Sequence, residues 1–128
     1  MPTPEQMHAV ADGYVAAYKR NDKDAVLALF RPDARFEDPV GQPAHDGHEG
    51  IGAFWDQSHA LAEIELVRRD LIVCANEMVM IFEVHATVGD ATMVIDAVDV
   101  FVVGDDGKII SLKAYWDMSR ARARGESV

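Results

Sequence analysis

Residues 92–103 read TMVIDAVDVFVV, and their apolar side chains alternate as in a β-strand with one buried face. Six residues share one face of such a strand: Met93, Ile95, Ala97, Asp99, Phe101 and Val103. Asp99 has apolar neighbours on this face, and burying an ionised carboxylate without a partner is costly. We therefore expect the pKa of Asp99 to be raised, so that its carboxyl group stays protonated and donates a hydrogen bond. A structural aspartate paired with an arginine explains the position equally well, and Asp96 on the other face is the competing candidate.

The stretches around residues 92–103 have the same β character. Strands are predicted near residues 64–75, 77–88, 91–103 and 108–117. Turn residues separate them at Asn76, at Gly89-Asp90 and at residues 104–107, GDDG. Four successive strands with short turns predict an antiparallel meander.

Helices are predicted before the strands. Thr3-Pro4-Glu5-Gln6 combines a capping hydroxyl, a proline at the first helical position and a glutamine three residues after the cap. The first helix should run to about Arg20, with Tyr14 on its buried side and Tyr18 one turn later. Asp22 then begins a short second helix, whose inward residues are predicted to be Val26, Leu29 and Phe30.

The third helix is predicted to begin at Ile51, after a loop at residues 41–50 that is rich in Gly, Pro, His and Asp. Phe54 and Trp55 would belong to this helix. Helices first and an antiparallel sheet afterwards indicate an α+β fold, in which the sheet can bend around the helices and enclose a pocket.

A second carboxylate lies at the end of a short strand. In ARFED, residues 34–38, Phe36 and Asp38 share one face, and Pro39 ends the strand. Asp38 is therefore predicted at the mouth of the pocket, where it could act as a base. A carboxylate in a turn is more often a turn former that caps backbone amides.

Composition limits the classes of function. The chain has 128 residues, 49% of them hydrophobic, which predicts one domain over residues 1–128. Its formal charge of −10 disfavours nucleic acid and anionic membranes and favours a neutral or apolar ligand. The sequence shows neither a signal peptide nor an apolar stretch of membrane-spanning length, so we expect a cytoplasmic protein.

Other chemistries lack their motifs. His45 and His48 are close together, but no third ligand converges with them, and no metal site is predicted. The sequence contains no glycine-rich phosphate loop and no Gly-x-Ser-x-Gly motif, which disfavours phosphoryl and acyl transfer. The basic tail at residues 119–128, SRARARGESV, is interpreted as a solvated terminus as readily as a partner site.

Five short segments follow one another along the chain: Tyr14, Asn21-Asp22, FEDPVGQP at residues 36–43, Val98-Asp99 and Ala114-Tyr115-Trp116. Their order is similar to that in bacterial Δ5-3-ketosteroid isomerases. The chain resembles this family of the nuclear transport factor 2-like (cystatin-like) superfamily over nearly its whole length. The resemblance implies a cone-shaped half-barrel of three N-terminal helices on a curved antiparallel or mixed sheet. It also implies a homodimer, a 3-ketosteroid substrate and no cofactor.

The resemblance assigns roles residue by residue. Tyr14 and protonated Asp99 would form the oxyanion hole, which binds the substrate oxygen as it gains negative charge. Asp38 would be the general base, and Trp116 an apolar wall of the steroid pocket. Phe30 and Trp55 stand where some members have two supporting tyrosines. Both are candidates for the pocket wall that binds the substrate, and we expect Trp55 mainly to shape the pocket.

Three further aromatic residues, Phe54, Phe82 and Phe101, are candidates for the pocket wall, although such spacing is more often that of ordinary core. Two alternatives to the isomerase stay open. One is a related enzyme of the same fold, such as a polyketide cyclase, a dehydratase or an epoxide hydrolase with a pocket arginine, for which Arg68 and Arg69 are candidates. The other is a non-catalytic lipid- or steroid-binding module.

Overall fold

The computed structural model describes residues 1–125, in which three helices pack against a curved, open, mixed sheet. The helices are α1 (Pro4–Lys19), α2 (Lys23–Leu27) and α3 (Gly47–Leu61). The strands are β1 (Phe30–Glu37), β2 (His45–Asp46), β3 (Glu63–Cys74), β4 (Glu77–Val88), β5 (Ala91–Val103), β6 (Ile109–Trp116) and β7 (Arg122–Ala123). A 3₁₀ turn at Met118–Arg120 joins β6 to β7. The predicted α+β class and curved sheet are confirmed.

The sheet has the order β2-β1-β6-β5-β4-β3, and β7 pairs with β5. Strands β3 to β6 form the predicted antiparallel meander, and their ends lie within one residue of the predicted ends. β1 runs parallel to β6, which makes the sheet mixed. A bulge in β3 between Arg68 and Asp70 changes the register there, and bulges of this kind bend a strand.

Helix α1 begins as its sequence predicts. The Thr3 hydroxyl accepts a hydrogen bond from the Gln6 backbone, and the Gln6 side chain accepts one from the Thr3 backbone. Tyr14 and Tyr18 lie on the buried side, 3% and 8% exposed. Asp22 caps α2 through a hydrogen bond from Ala25.

Two predicted boundaries were wrong. α2 ends at Leu27, and Phe30 is the first residue of β1 instead of part of the helix. α3 begins at Gly47, four residues earlier than predicted. The glycines that suggested a loop allow close packing here: a Cβ at Gly47 would lie 2.9 Å from the Pro32 carbonyl oxygen, and one at Gly50 would lie 3.0 Å from the His45 backbone.

The interpretation of the basic tail as a solvated terminus is also corrected in part. Arg122 lies in β7 with its side chain 12% exposed, and it donates hydrogen bonds to Asp96 at 3.0 Å and to Glu83 at 3.2 Å. This part of the tail is therefore packed on the sheet, because two carboxylates there attract it. Residues 126–128 of the predicted tail lie outside the described residues. Within residues 1–125, no helix has the length and hydropathy needed to cross a membrane.

Candidate active site

A cavity of about 960 Å³ opens between the helices and the inner face of the sheet. Its lining is mostly apolar, and the ionisable and hydroxyl groups at its inner end are Tyr14, Tyr18, Asp38 and Asp99. Alternation along β5 places Asp99 here, between Met80 on β4 and Ala114 on β6. The parity argument from the sequence therefore predicted the correct face.

Asp99 is 3% exposed, and no other described group forms a hydrogen bond with its carboxyl group. Burial raises the pKa of Asp99 well above its usual value, and the nearby Asp38 carboxylate raises it further. Arg122 pairs with the competing candidate Asp96 and not with Asp99. Asp99 thus offers the cavity a neutral carboxylic acid, which is a hydrogen-bond donor.

Asp38 follows the last residue of β1 directly. Its Oδ1 accepts a hydrogen bond of 2.6 Å from the indole Nε1 of Trp116, and the next turn is held to β6 by a hydrogen bond from Val40 N to Ala114 O at 2.9 Å. Burial raises the pKa of Asp38 to about 6, and the Trp116 hydrogen bond offsets part of that rise. Near neutral pH, Asp38 is therefore mainly a carboxylate that can accept a proton.

Tyr14 reaches the same end of the cavity from α1. Its ring packs edge-on against Phe101 at a centroid distance of 5.4 Å. Burial raises the pKa of the Tyr14 hydroxyl, and so do the nearby Tyr18, Asp99 and Asp38. The hydroxyl is consequently neutral and able to donate a hydrogen bond.

Tyr18 has a part in the site that sequence reasoning missed. Its ring lies 5.1 Å from that of Tyr14, and its side chain lines the cavity. Burial raises the pKa of Tyr18, and a hydrogen bond with the Tyr14 hydroxyl acts in the opposite direction. The signal was the four-residue spacing of the two tyrosines on one helix face.

The six aromatic residues expected in the pocket wall divide into two groups. Phe54, Phe82 and Trp116 line the cavity. Phe30, Trp55 and Phe101 are not among the lining residues and pack in the core beside Tyr14 and Tyr18, so their expected place in the wall is corrected. The reason is that strand and helix parity determine which side of the sheet or helix a ring occupies, but not how far it lies behind other side chains.

Trp55 packs against the ring of Tyr18 at 4.7 Å and stacks on the imidazole of His59 at 3.7 Å. His59 Nδ1 donates a hydrogen bond to the Trp55 carbonyl oxygen at 2.9 Å. Trp55 therefore supports Tyr18 through a ring contact. None of the described hydrogen bonds joins Trp55 to Tyr14.

A sequence profile of the SnoaL-like domain family matches residues 11–112. This chain belongs to the SnoaL-like family. This SnoaL-like protein is 32% identical over 113 residues to a steroid Delta-isomerase of Nocardioides simplex, covering 87% of this chain and 89% of that protein. The resemblance to steroid isomerases inferred from the sequence is thereby confirmed.

Solved structures with the fold of this SnoaL-like protein include proteins with different activities. One is the epoxide hydrolase/cyclase-like enzyme SalBIII, described as having a role in pyran ring formation in polyether salinomycin. It has a TM-score of 0.88 at 23% identity, covering 96% of this chain and 99% of that one. RV0760c of Mycobacterium tuberculosis, solved with estradiol-17beta-hemisuccinate, has 0.83 at 21% identity, covering 91% and 98%. The Δ5-3-ketosteroid isomerase of Mycobacterium sp. has 0.82 at 20% identity, covering 92% and 98%. These similarities show that the chain shares its fold with these proteins.

Proposed function

We propose that this SnoaL-like protein is a steroid Δ-isomerase that converts 3-oxo-Δ5-steroids to 3-oxo-Δ4-steroids. The observation that carries the proposal is the arrangement at the inner end of the apolar cavity. There, the neutral donors Tyr14 and Asp99 lie beside Asp38, a carboxylate with a pKa of about 6. The steroid Delta-isomerase of Nocardioides simplex, 32% identical, supports an isomerase.

The reaction moves one proton from C4 to C6. Asp38 removes the C4 proton, and the electrons of the C4–H bond form a C3=C4 double bond while O3 gains negative charge. Tyr14 and Asp99 donate hydrogen bonds to O3 and stabilise this dienolate. The C3 carbonyl then re-forms, C4=C5 becomes the double bond, and C6 takes the proton from Asp38. The proton balance closes on one residue, so the reaction needs no cofactor.

The site electrostatics suit both halves of this cycle. Each preorganised donor in a site that excludes water contributes roughly 10²- to 10³-fold in rate. The raised pKa of Asp38 makes it a stronger base than an exposed aspartate, and it still ionises near neutral pH. The hydrogen bond from Trp116 holds one carboxylate oxygen, which leaves the other oxygen for the proton.

The test is isomerisation of 5-androstene-3,17-dione, followed by the ultraviolet absorbance of the conjugated enone. We expect catalysed turnover by the wild-type protein and none above background with Asp38→Asn, because the amide keeps the shape but cannot accept the proton. Substantial turnover by Asp38→Asn would reject Asp38 as the proton carrier. The same background rate with both proteins would reject the isomerase proposal.

The second candidate is a related enzyme that opens epoxides with a pocket arginine, favoured by the fold shared with SalBIII. Arg68 instead binds Asp12 at 2.7 Å, and Arg69 lies 3.5 Å from Glu83. Arg122 lines the outer cavity between the carboxylates of Glu83 and Asp96, which are not among the cavity-lining residues. No described arginine therefore lies between Asp38 and Asp99, and the isomerase remains the better proposal.

A non-catalytic binding module would use the same cavity without turnover. Tight binding of a 3-ketosteroid together with no isomerisation would favour it. The carboxylate of Asp38 argues against this alternative, because binding a ketone oxygen needs only the donors Tyr14 and Asp99 and leaves a buried base beside them unexplained.

We also propose that the protein forms a homodimer through the outer face of its sheet. Apolar side chains occupy adjacent positions across this face: Ile81, Val98 and Tyr115 form one cross-strand row. Ile81 and Tyr115 are 36% and 46% exposed in the single chain, which gives a partner apolar surface to cover. The single domain over residues 1–128 and the cytoplasmic location stay predictions.

A further inference from the structure

The cavity extends far beyond the groups that would carry the reaction. Its lining continues along the inner faces of two paired strands: Phe82, Val84, Ala86 and Val88 on β4, and Ala97, Ile95, Met93 and Ala91 on β5. Asp99 and Ala91 are eight residues apart on one strand, a distance of about 26 Å at about 3.3 Å per residue. The four fused rings of a steroid, with O3 held at Asp99, cover less than half of that distance.

Small side chains help to keep the outer half of the cavity open. Five alanines line it: Ala62, Ala86, Ala91, Ala121 and Ala123. The two from the C-terminal segment are present because β7 pairs with β5 at Met93 and Val94 and so extends the wall past the end of β6. The chain thus builds additional wall where a four-ring ligand would already have ended.

The rim of the outer half is apolar and exposed. Leu61, Val88, Met118 and Met93 line the cavity with exposures of 77%, 63%, 52% and 37%. The charged residue in this part of the described lining is Arg122, and its guanidinium is held by Asp96 and Glu83 on the face of the sheet opposite to Asp99. Such a surface favours a hydrocarbon chain over a carboxylated or phosphorylated one.

We propose that the substrate is a 3-oxo-Δ5-steroid with an extended alkyl side chain at C17, and that the outer half of the cavity binds this side chain. The proposal rests on the isomerase function proposed above. The rings lie at the inner end beside Asp38 and Asp99, and the alkyl chain lies between β4, β5 and β7. The cavity length, its alanines and its apolar rim then have one common explanation.

The first measurement compares 5-cholesten-3-one, which carries a branched eight-carbon chain, with 5-androstene-3,17-dione, which carries a C17 oxygen. Both are supplied from the same cyclodextrin solution, and free substrate is determined in each case. We expect similar kcat values, since the chemistry at C4 and C6 is the same. KM for the long substrate should be at least about tenfold lower, because several methylene groups leave water.

Variants then localise the effect. Ala86→Phe fills the outer cavity, and Val88→Asp places a charge on its rim. Each should raise KM for 5-cholesten-3-one at least about tenfold and leave the constants for 5-androstene-3,17-dione within about twofold. The matched control is Ala9→Asp, which places the same charge at an exposed residue of α1, outside the cavity lining and away from the sheet. It should leave the kinetic constants for both substrates unchanged.

Turnover of the short substrate without any advantage for the long one, and without a selective effect of Ala86→Phe, would overturn the proposal and leave the isomerase function standing. If neither substrate is turned over, the proposed isomerase function is wrong. Quenching of tryptophan fluorescence then measures the binding of 4-cholesten-3-one and 4-androstene-3,17-dione and shows which class of ligand the cavity prefers. Tighter binding of the long ketone that Ala86→Phe abolishes would support an alkyl-chain site. Equal binding of both ketones would overturn it.

Discussion

Asp38 and Asp99 are chemically identical side chains that the fold places in two different protonation states. Both are raised in pKa by burial, but Asp38 accepts a hydrogen bond from Trp116 whereas Asp99 has none from a described group. The ionised Asp38 also raises the pKa of Asp99. One acid therefore ionises near pH 6 while the other stays neutral, which separates the roles of base and hydrogen-bond donor.

Asp38 is expected to decrease stability in its ionised form. Its folded pKa of about 6 lies above the unfolded value of about 3.9, so the stabilising effect of its proton is present below about pH 4 and is lost as pH rises through 6. Above about pH 6, Asp38→Asn should raise the free energy of unfolding by as much as about 3 kcal/mol, at 1.36 kcal/mol per pKa unit.

Urea denaturation of the wild type and Asp38→Asn at several pH values measures this difference, and the wild-type kcat/KM should fall below about pH 6 in the same series. A stability gain that is equally large at about pH 4 would show that the cause is not the ionisation of Asp38.

Asp99 is expected to contribute more to kcat than to binding. Asp99→Leu removes the donor and should lower kcat roughly 10²- to 10³-fold, while Asp99→Asn, whose amide still donates, should lose less. Asp96→Asn is the matched control on the opposite face of β5 and should keep kcat within about twofold. Steady-state kinetics with 5-androstene-3,17-dione provide the measurement. A kcat for Asp99→Leu equal to that of the wild type would show that Asp99 is not part of the oxyanion hole.

Tyr18 is expected to act through Tyr14. Tyr18→Phe keeps the ring that packs on Trp55 but removes the hydroxyl that is hydrogen-bonded to Tyr14. We expect kcat to fall about fivefold to tenfold with KM nearly unchanged, the loss of one neutral hydrogen bond. In a double-mutant cycle the loss should disappear in the Tyr14→Phe background. The same loss in both backgrounds would show that Tyr18 does not work through Tyr14.

Among the elements, β7 is one of the two shortest strands, and a single side chain, Arg122, links it to two carboxylates. It has two residues, pairs with β5, and carries Arg122 into hydrogen bonds with Glu83 and Asp96. The same segment supplies Ala121 and Ala123 to the outer cavity. The Arg122 contacts therefore link the stability of this segment to the shape of the cavity.

Arg122→Met should lower the free energy of unfolding by about 1–2 kcal/mol, because it removes the less exposed of the two arginines beside Glu83 and Asp96 and leaves the exposed Arg69 at 3.5 and 3.6 Å. Arg120→Met changes an exposed residue of the adjoining 3₁₀ turn and serves as the control, with an expected change of less than about 0.5 kcal/mol. Thermal and chemical denaturation measure both. Equal effects of the two variants would mean that the carboxylate contacts of Arg122 contribute nothing specific.

The whole molecule has an inner sheet face that forms the cavity and an outer face that is apolar at its centre. The outer face combines partly exposed Ile81 and Tyr115 with a formal net charge of −10 for the chain. That net charge opposes self-association, so any dimer has to be held by apolar contacts. Added salt should therefore strengthen the dimer by screening the repulsion.

Light scattering should give twice the chain mass of 14.1 kDa. Ile81→Asp places a charge in the middle of the cross-strand row and should shift the protein to monomers with an unchanged circular dichroism spectrum. Val88→Asp, at the cavity rim, should leave the dimer intact. A wild-type protein that is monomeric at high concentration and high salt would contradict the proposed homodimer.

The sequence by itself determined the α+β class, the ends of strands β3 to β6 and the faces on which Tyr14 and Asp99 lie. These depend on local periodicity, and a period of two or 3.6 residues is visible in a short stretch of chain. It did not determine where α3 begins, because the glycines at 47 and 50 have the composition of a loop but serve close packing against Pro32 and His45.

Only the tertiary structure decided how the site is held together. The hydrogen bond from Trp116 to Asp38 joins residues 78 positions apart, and the aromatic core residues Phe30, Trp55 and Phe101 are excluded from the cavity by side chains distant in sequence. The packing of Arg122 on Glu83 and Asp96 and the long cavity wall from β7 have the same origin. Parity along one strand specifies a direction, whereas distance, depth and partners depend on how the sheet curves and on which elements cover it.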